Sequence, residues 1–143
     1  MVLDPRGVRF AAALTSTVFV LVLVTGSGWL ALAQAVVFAL TAAWPRRGPY
    51  ALVYRWLVAP RLGPPRATEP AAPVRFAQLV GLVVATVSAV GYLSGAPVLG
   101  AVMAAIGLAA AFLNAALGLC LGCEAYLAGR RLLDRGRAAR PAR

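Results

Sequence analysis

The sequence predicts an all-α membrane protein: a four-helix transmembrane bundle with a short cytoplasmic interfacial helix between its second and third spans. Three observations predict it. Hydrophobic residues make up 62% of the 143 positions, against roughly 45 to 50% in soluble domains. They fall into four runs near the ~20 residues that cross ~30 Å of hydrocarbon. The charges lie in the connections: a net charge of +10 arises from 14 arginines against Asp4, Glu69, Glu124 and Asp134, with no lysine or histidine. The length suits one membrane domain and leaves no room for a soluble catalytic module.

Asp4 followed by Pro5 reads as a helix start, because the carboxylate can accept free first-turn amides and proline needs no partner there. The first span covers residues 5–25, with Arg6 and Arg9 reaching towards headgroups. It does not read as a cleaved signal peptide, having no small-residue cleavage site followed by polar sequence. Gly26-Ser27-Gly28 forms a tight turn. The second span, 29–44, carries a tryptophan at each end, suited to the two interfaces, and stops at Pro45-Arg46-Arg47. In residues 49–59, Tyr50, Val53, Tyr54, Leu57 and Val58 share one helical face, which either lies on the membrane surface or packs on the bundle. The prolines of 60–73 predict an exposed linker. The third span, 74–93, is followed by an uncharged turn at 94–97. The fourth covers 97–120, with a cytoplasmic tail at 130–143. Its apolar character persists to Arg130, about 50 Å at 1.5 Å per residue. It therefore either protrudes or breaks near Gly118–Cys123 and resumes as a surface helix.

Two arginines lie at the first span, six between the second and third, and six after the fourth; the other two connections have none. Excess arginine in short loops marks the cytoplasmic side. Both termini and the central connection are thus expected in the cytoplasm of a bacterial inner membrane, with anionic lipid headgroups as partners. The arginines form no face on a soluble domain, which argues against nucleic acid as a partner.

The chemistry concentrates in Gly118-Leu119-Cys120-Leu121-Gly122-Cys123-Glu124-Ala125-Tyr126. Cys120 and Cys123 are one turn apart, close enough for a reversible disulfide, a two-ligand half-site or simple packing. Gly118 and Gly122 form a G-x-x-x-G pattern that favours close helix packing. Glu124 and Tyr126 add polar groups that packing does not need. On a continuous helix the C-terminal dipole and Glu124 would raise the thiol pKa, whereas a break would put Cys123 at a helix start and favour its thiolate. On the cytoplasmic side a permanent structural disulfide is not expected. That side, with a single cysteine pair, also argues against the four-helix membrane oxidases that pass electrons from extracytoplasmic disulfides to quinone. Two thiolates without histidine make half a zinc or iron–sulfur ligand set, which only a dimer could complete; no metal or cofactor is called for. Asn114, at membrane depth, requires a partner on a neighbouring helix or lines a polar pocket beneath the cysteines. Glu124 is expected to pair with a loop arginine such as Arg75.

Asp4-Pro5-Arg6-Gly7-Val8-Arg9-Phe10, Trp44-Pro45, Glu69-Pro70 with Arg75-Phe76-Ala77-Gln78, and Asn114 through Tyr126 occur in the order and spacing of one family. The chain resembles the bacterial membrane family catalogued as domain of unknown function 4395, with Cys-x-Gly-Cys as the most specific element. The resemblance implies a four-helix membrane protein without an established activity, encoded near thioredoxin-like proteins and rhodanese-type sulfurtransferases, which are the expected partners. By motif it marks Cys120, Cys123, Glu124 and Tyr126 as site residues, supported by Asn114, Arg6, Arg9, Glu69 and Arg75. The expected function is thiol redox or sulfur relay. A structural scaffold with packing cysteines and a small transporter of a sulfur compound are the alternatives.

Overall fold

The computed structural model describes residues 1–138. In order these form β1 (Val2–Leu3), α1 (Pro5–Thr25), α2 (Gly28–Ala43), α3 (Pro49–Val53), a π turn (Tyr54–Val58), α4 (Ala59–Leu62), β2 (Glu69–Pro70), α5 (Ala71–Leu93), α6 (Pro97–Leu117) and α7 (Leu121–Ala138). The fold is all-α apart from one short antiparallel ladder, in which Val2 faces Pro70 and Leu3 faces Glu69.

Helices α1, α5 and α6 are long and apolar enough to cross a membrane. Helix α2 is apolar but has 16 residues, about 24 Å at 1.5 Å per residue. Outward-facing side chains are apolar too: Val24, Val83 and Ile106 are 78%, 60% and 51% exposed. Such faces suit hydrocarbon as the solvent, since the helices satisfy their own backbone groups. These features identify a membrane protein.

Local chemistry sets the helix ends. The Arg6 N–H donates to Asp4 Oδ1 at 2.9 Å with Pro5 in the first turn. Gly26 closes α1 at φ +63°, and the Leu30 N–H donates to Ser27 Oγ at 3.2 Å to open α2. Packing then pairs α1 with α6 and α2 with α5, while α5 joins α6. Phe19, Val22, Ala31, Ala35, Phe38, Ala85, Ala89 and Ala104 form the core. Two phenylalanines fix its spacing by resting on glycines. A Cβ on Gly107 would lie 2.6 Å from the Phe19 ring, and one on Gly81 would lie 2.8 Å from the Phe38 ring. Small residues of this kind let helices approach where water offers no hydrophobic drive.

Pairing brings all the arginine-bearing connections to one end. Arg9 reaches the last turn of α6, Arg75 the last turn of α2, Arg46 the carbonyl of Val2, and Arg6 the carbonyls of Leu62 and Gly63. At the opposite end the two uncharged turns come together, with Gly26 beside Tyr92 and Gly28 beside Leu93.

Several boundaries differ from the sequence expectations. The surface-facing segment extends over Pro49–Leu62 with a π turn, where Ala59 N–H reaches Tyr54 O; Pro60 has no N–H to continue the regular ladder. Its tyrosines turn inward onto the bundle: Tyr54 is 4% exposed, and its ring lies 5.7 Å from that of Phe10. Leu57, expected on the same face, is 61% exposed. The linker is shorter than 60–73. Residues 60–62 are helical, Glu69–Pro70 pair with β1, and α5 starts at Ala71. Pro73 does not delay that start because first-turn amides need no helical partner. Residues 130–138 of the expected tail continue α7; 139–143 lie outside the described residues.

Candidate functional site: a cysteine pair at a helix break

Helix α6 ends because Gly118 takes φ +70°, with its N–H donating to Asn114 O at 3.0 Å. Left-handed backbone is open to glycine at little cost. The carbonyls released at this end are taken by Arg9. Its Nε and Nη2 donate to Ala115 O at 3.3 and 3.0 Å, and Nη2 also donates to Ala116 O at 3.1 Å. A guanidinium there also offsets the negative end of the helix dipole.

The chain restarts as α7 at Leu121, so Cys120 occupies the position before its first turn. The Cys123 N–H donates to Cys120 Sγ at 3.3 Å, and the Glu124 N–H donates to Cys120 O at 2.9 Å. Cys120 and Cys123 are joined as a disulfide with their Cα atoms 5.1 Å apart. The sequence argued against a permanent disulfide; the structure holds the pair in the oxidised form, one of the two states of the expected cycle.

The break answers the question of continuity and reassigns the glycines. Gly118 and Gly122 do not share a face of one helix. Gly118 terminates α6, whereas Gly122 carries the contact of α7 with α5: a Cβ there would lie 2.6 Å from both Cα and Cβ of Ala77. Tyr126 strengthens the same contact, with its ring 5.8 Å from that of Phe76. Its hydroxyl accepts from Arg130 Nη1 at 3.4 Å. Tyr126 therefore anchors α7.

The break also gives the two sulfurs different surroundings. The sequence favours the Cys123 thiolate at such a break, but it is Cys120 Sγ that accepts a backbone amide at the positive end of α7. Both effects stabilise the Cys120 thiolate in the reduced pair.

The expected Glu124–Arg75 pair is absent. Arg75 Nε donates instead to Ala42 O at 2.8 Å, capping α2. Glu124 is exposed in the first turn of α7, where the helix dipole favours a carboxylate. Among the described residues the one salt bridge joins Arg6 to Asp4 at 3.3 Å. Asp4 also accepts the Tyr54 hydroxyl at 2.9 Å. Burial would raise the Asp4 pKa, but the Arg6 and Tyr54 hydrogen bonds and the Arg6 charge outweigh it and hold the carboxyl below its usual value. Burial and the neighbouring Asp4 push the Tyr54 hydroxyl upward. Arg6 and Asp4 thus tie α1 to α4, and Glu69 sits in the β ladder rather than beside the cysteines.

Asn114 has no side-chain hydrogen bond among the described residues, so the expected bond to a neighbouring helix is not made. It lines a half-open cavity of about 390 Å³ bordered by α1, α2, Tyr50, α5, α6 and the start of α7. Cys120 lines this cavity and Cys123 does not. Gln78 of α5 lines it as well, likewise without a side-chain hydrogen bond among the described residues. A second hollow of about 610 Å³, edged by Arg46, Arg47 and Arg55, adjoins it and shares Tyr50 and Gln78. Deeper in, the Tyr50 hydroxyl donates to Gln34 Oε1 at 2.6 Å, and Gln34 Nε2 donates to Thr15 Oγ1 at 3.4 Å. Gln34 is 1% exposed. Sequence reasoning passed over Gln34 and Gln78, although an amide inside an apolar run is the signal that singled out Asn114.

Among the described residues no three of His, Cys, Asp and Glu gather as a metal site. The family model described as Domain of unknown function (DUF4395) matches residues 3–131. The chain belongs to the DUF4395 family. The match takes in every site residue above, from Arg6 to Tyr126. Neither curated proteins nor solved structures give a match. In this DUF4395 protein the cysteine pair and its surroundings hold the candidate chemistry.

Proposed function

We propose that this protein is a multi-pass inner-membrane dithiol–disulfide carrier of bacterial origin, with Cys120 and Cys123 cycling between the two states. The observation that carries this reading is the Cys120–Cys123 disulfide at the start of α7, with the Cys123 amide donated to Cys120 Sγ. In this reading α2 crosses the bilayer as the fourth span, its short length met by local thinning or tryptophan anchoring. The arginine-rich end faces the cytoplasm, and α3, the π turn and α4 lie at that interface.

The exchange follows from the electrostatics. A thiolate of a thioredoxin-like dithiol partner attacks Cys123 Sγ, breaking the disulfide and releasing Cys120 as the better stabilised thiolate. The partner's second thiolate then attacks its own sulfur of the mixed disulfide and releases Cys123. Two electrons and two protons pass from the partner dithiol to the Cys120–Cys123 pair, and the partner leaves as a disulfide. Glu124 and Tyr126 support the site by completing and anchoring the first turns of α7.

The test uses purified protein in lipid nanodiscs with a reduced thioredoxin-like protein, followed by maleimide gel shift. The native pair is expected to be reduced and to reoxidise reversibly, and Cys120→Ser, given the oxidised thioredoxin-like protein, to accumulate a mixed disulfide through Cys123, which then has no neighbouring thiol to release the partner. Cysteines that react only after denaturation, together with full complementation of a deletion strain by the double serine variant, would leave a structural scaffold as the function.

A further inference from the structure

We propose that the cavity behind Cys120 binds a lipid-soluble quinone, which accepts the two electrons that the cysteine pair collects. The inference rests on the dithiol–disulfide reading above and adds the oxidant that such a carrier needs.

Four features of the cavity point to this ligand class. Its volume, about 390 Å³, falls within the ~300 to 1,000 Å³ typical of small-molecule sites. Its walls are chiefly Ala, Val, Phe and Ile side chains, which suit a flat apolar ring. Phe76, Val80 and Ile106 line it and are also 38%, 43% and 51% exposed on the apolar flank, so its rim meets the side from which a lipid-borne molecule arrives. Asn114 on α6 and Gln78 on α5 bring carboxamide groups with no protein partner to this otherwise apolar space, whereas the hydroxyls of Thr41 and Tyr50 already donate to Val37 O and Gln34 Oε1. No buried side-chain nitrogen or oxygen among the described residues lacks a partner, so both amides keep accessible surface and are free to bond a ligand. Quinone carbonyl oxygens would accept their N–H groups, and the quinol hydroxyls formed on reduction would donate to their oxygens.

The position of the cysteines divides the labour. Cys123, which does not line the cavity, exchanges with the partner protein, while Cys120 faces the ring. The reduced pair and the quinone react as dithiol plus quinone to disulfide plus quinol. The Cys120 thiolate adds to the ring, the Cys123 thiolate attacks Cys120 Sγ, the sulfur–ring bond breaks and the disulfide forms. The ring departs with both electrons, and the two thiol protons end on its oxygens. Each turnover returns the pair to the state seen in the structure.

The experiment uses the full chain, reduced with a small dithiol, desalted and held without oxygen in lipid nanodiscs with decylubiquinone. Quinol formation is followed by ultraviolet absorbance and thiol loss by maleimide labelling. The expected result is one quinol per pair of thiols lost. Asn114→Leu and Gln78→Leu should each raise the quinone KM about tenfold, the scale of one lost hydrogen bond. An azidoquinone should label peptides of α5 and α6 in the native protein, a measurement that stands even if either variant misfolds. No quinone reduction by a pair that still exchanges with the thioredoxin-like protein overturns the cavity assignment and leaves the carrier reading intact. Failure of both reactions removes both. Quinone reduction with unaltered KM in the variants and labelling away from α5 and α6 also overturns the assignment.

Discussion

Gly122→Ala provides a sharp test of how α7 is held. The added Cβ would lie 2.6 Å from the Cα and Cβ of Ala77, where carbon atoms prefer about 3.5 to 4.0 Å. The two helices must therefore separate by about 1 Å. Ala77 presents backbone at this point and has no flexible side-chain tip to swing aside, so the cost should fall in the ~1 to 3 kcal/mol typical of overpacking. The main compensating contact is the Phe76–Tyr126 pair, worth about 0.5 to 1.5 kcal/mol beyond its buried area. Overpacking outweighs it, and α7 undocks while the remaining helices stay folded. Amide hydrogen exchange in nanodiscs should show residues 121–127 exchanging about 5- to 150-fold faster, the factor corresponding to that energy range. Gly129→Ala supplies the control: nothing lies within 4 Å of its Cβ position, and alanine is the better helix former by about 1 kcal/mol. Unchanged exchange in Gly122→Ala, or equal acceleration in both variants, would refute the assignment of Gly122 as the contact that docks α7.

Two further outcomes follow from polar contacts. Arg9→Leu removes the hydrogen bonds to Ala115 O and Ala116 O; because they are exposed, the expected loss is about 1 kcal/mol. It should appear as a lower thermal midpoint and faster amide exchange at 115–120. Asp4 and Tyr54 set opposite pH limits. The depressed Asp4 pKa contributes stability that is present above the unfolded value near 3.8 and is lost as pH falls through the folded value. The raised Tyr54 pKa contributes stability that is present below 10.0 and is lost as pH rises through the folded value. Asp4→Asn should flatten the acid limb of a thermal-midpoint-against-pH curve and weaken the docking of Tyr54.

Features that depend on a few adjacent residues were legible in the sequence. Asp4-Pro5 caps α1, Gly26-Ser27-Gly28 separates α1 from α2, and the confinement of arginine to three connections anticipates the charged end. Features decided by distant residues were not legible. Gly118 could terminate a helix or line a helix contact, and the choice depends on Arg9, more than a hundred positions away, which takes the carbonyls freed by the break. By sequence alone Arg75 could pair with a carboxylate such as Glu124 or cap a helix end. The ordering of α5 against α2 gives it to Ala42 O, because a bundle has more unsatisfied helix-end carbonyls than carboxylates. The linker prolines argued for extended chain as a group, yet Pro73 falls in a first turn where proline is tolerated. That outcome depends on Ala71 N–H donating to Met1 O at 3.1 Å, a contact no local pattern contains.

The cysteine pair shows how these non-local choices converge on chemistry. Were α6 continuous through residue 123, both sulfurs would lie at the negative end of a helix and their amides would be consumed within it. Gly118 ends that ladder, Arg9 stabilises the end, and Gly122 with Tyr126 hold the new helix against α5. The Cys123 amide then donates to Cys120 Sγ, and Cys120 borders the cavity while Cys123 does not. A scaffold would need only the last contact, since Gly122 against Ala77 packs α7 whether residues 120 and 123 are cysteine or alanine. The break serves the docking of α7 on either reading, whereas the amide donated to sulfur is the feature that, on the proposed dithiol–disulfide reading, favours thiol exchange at this position.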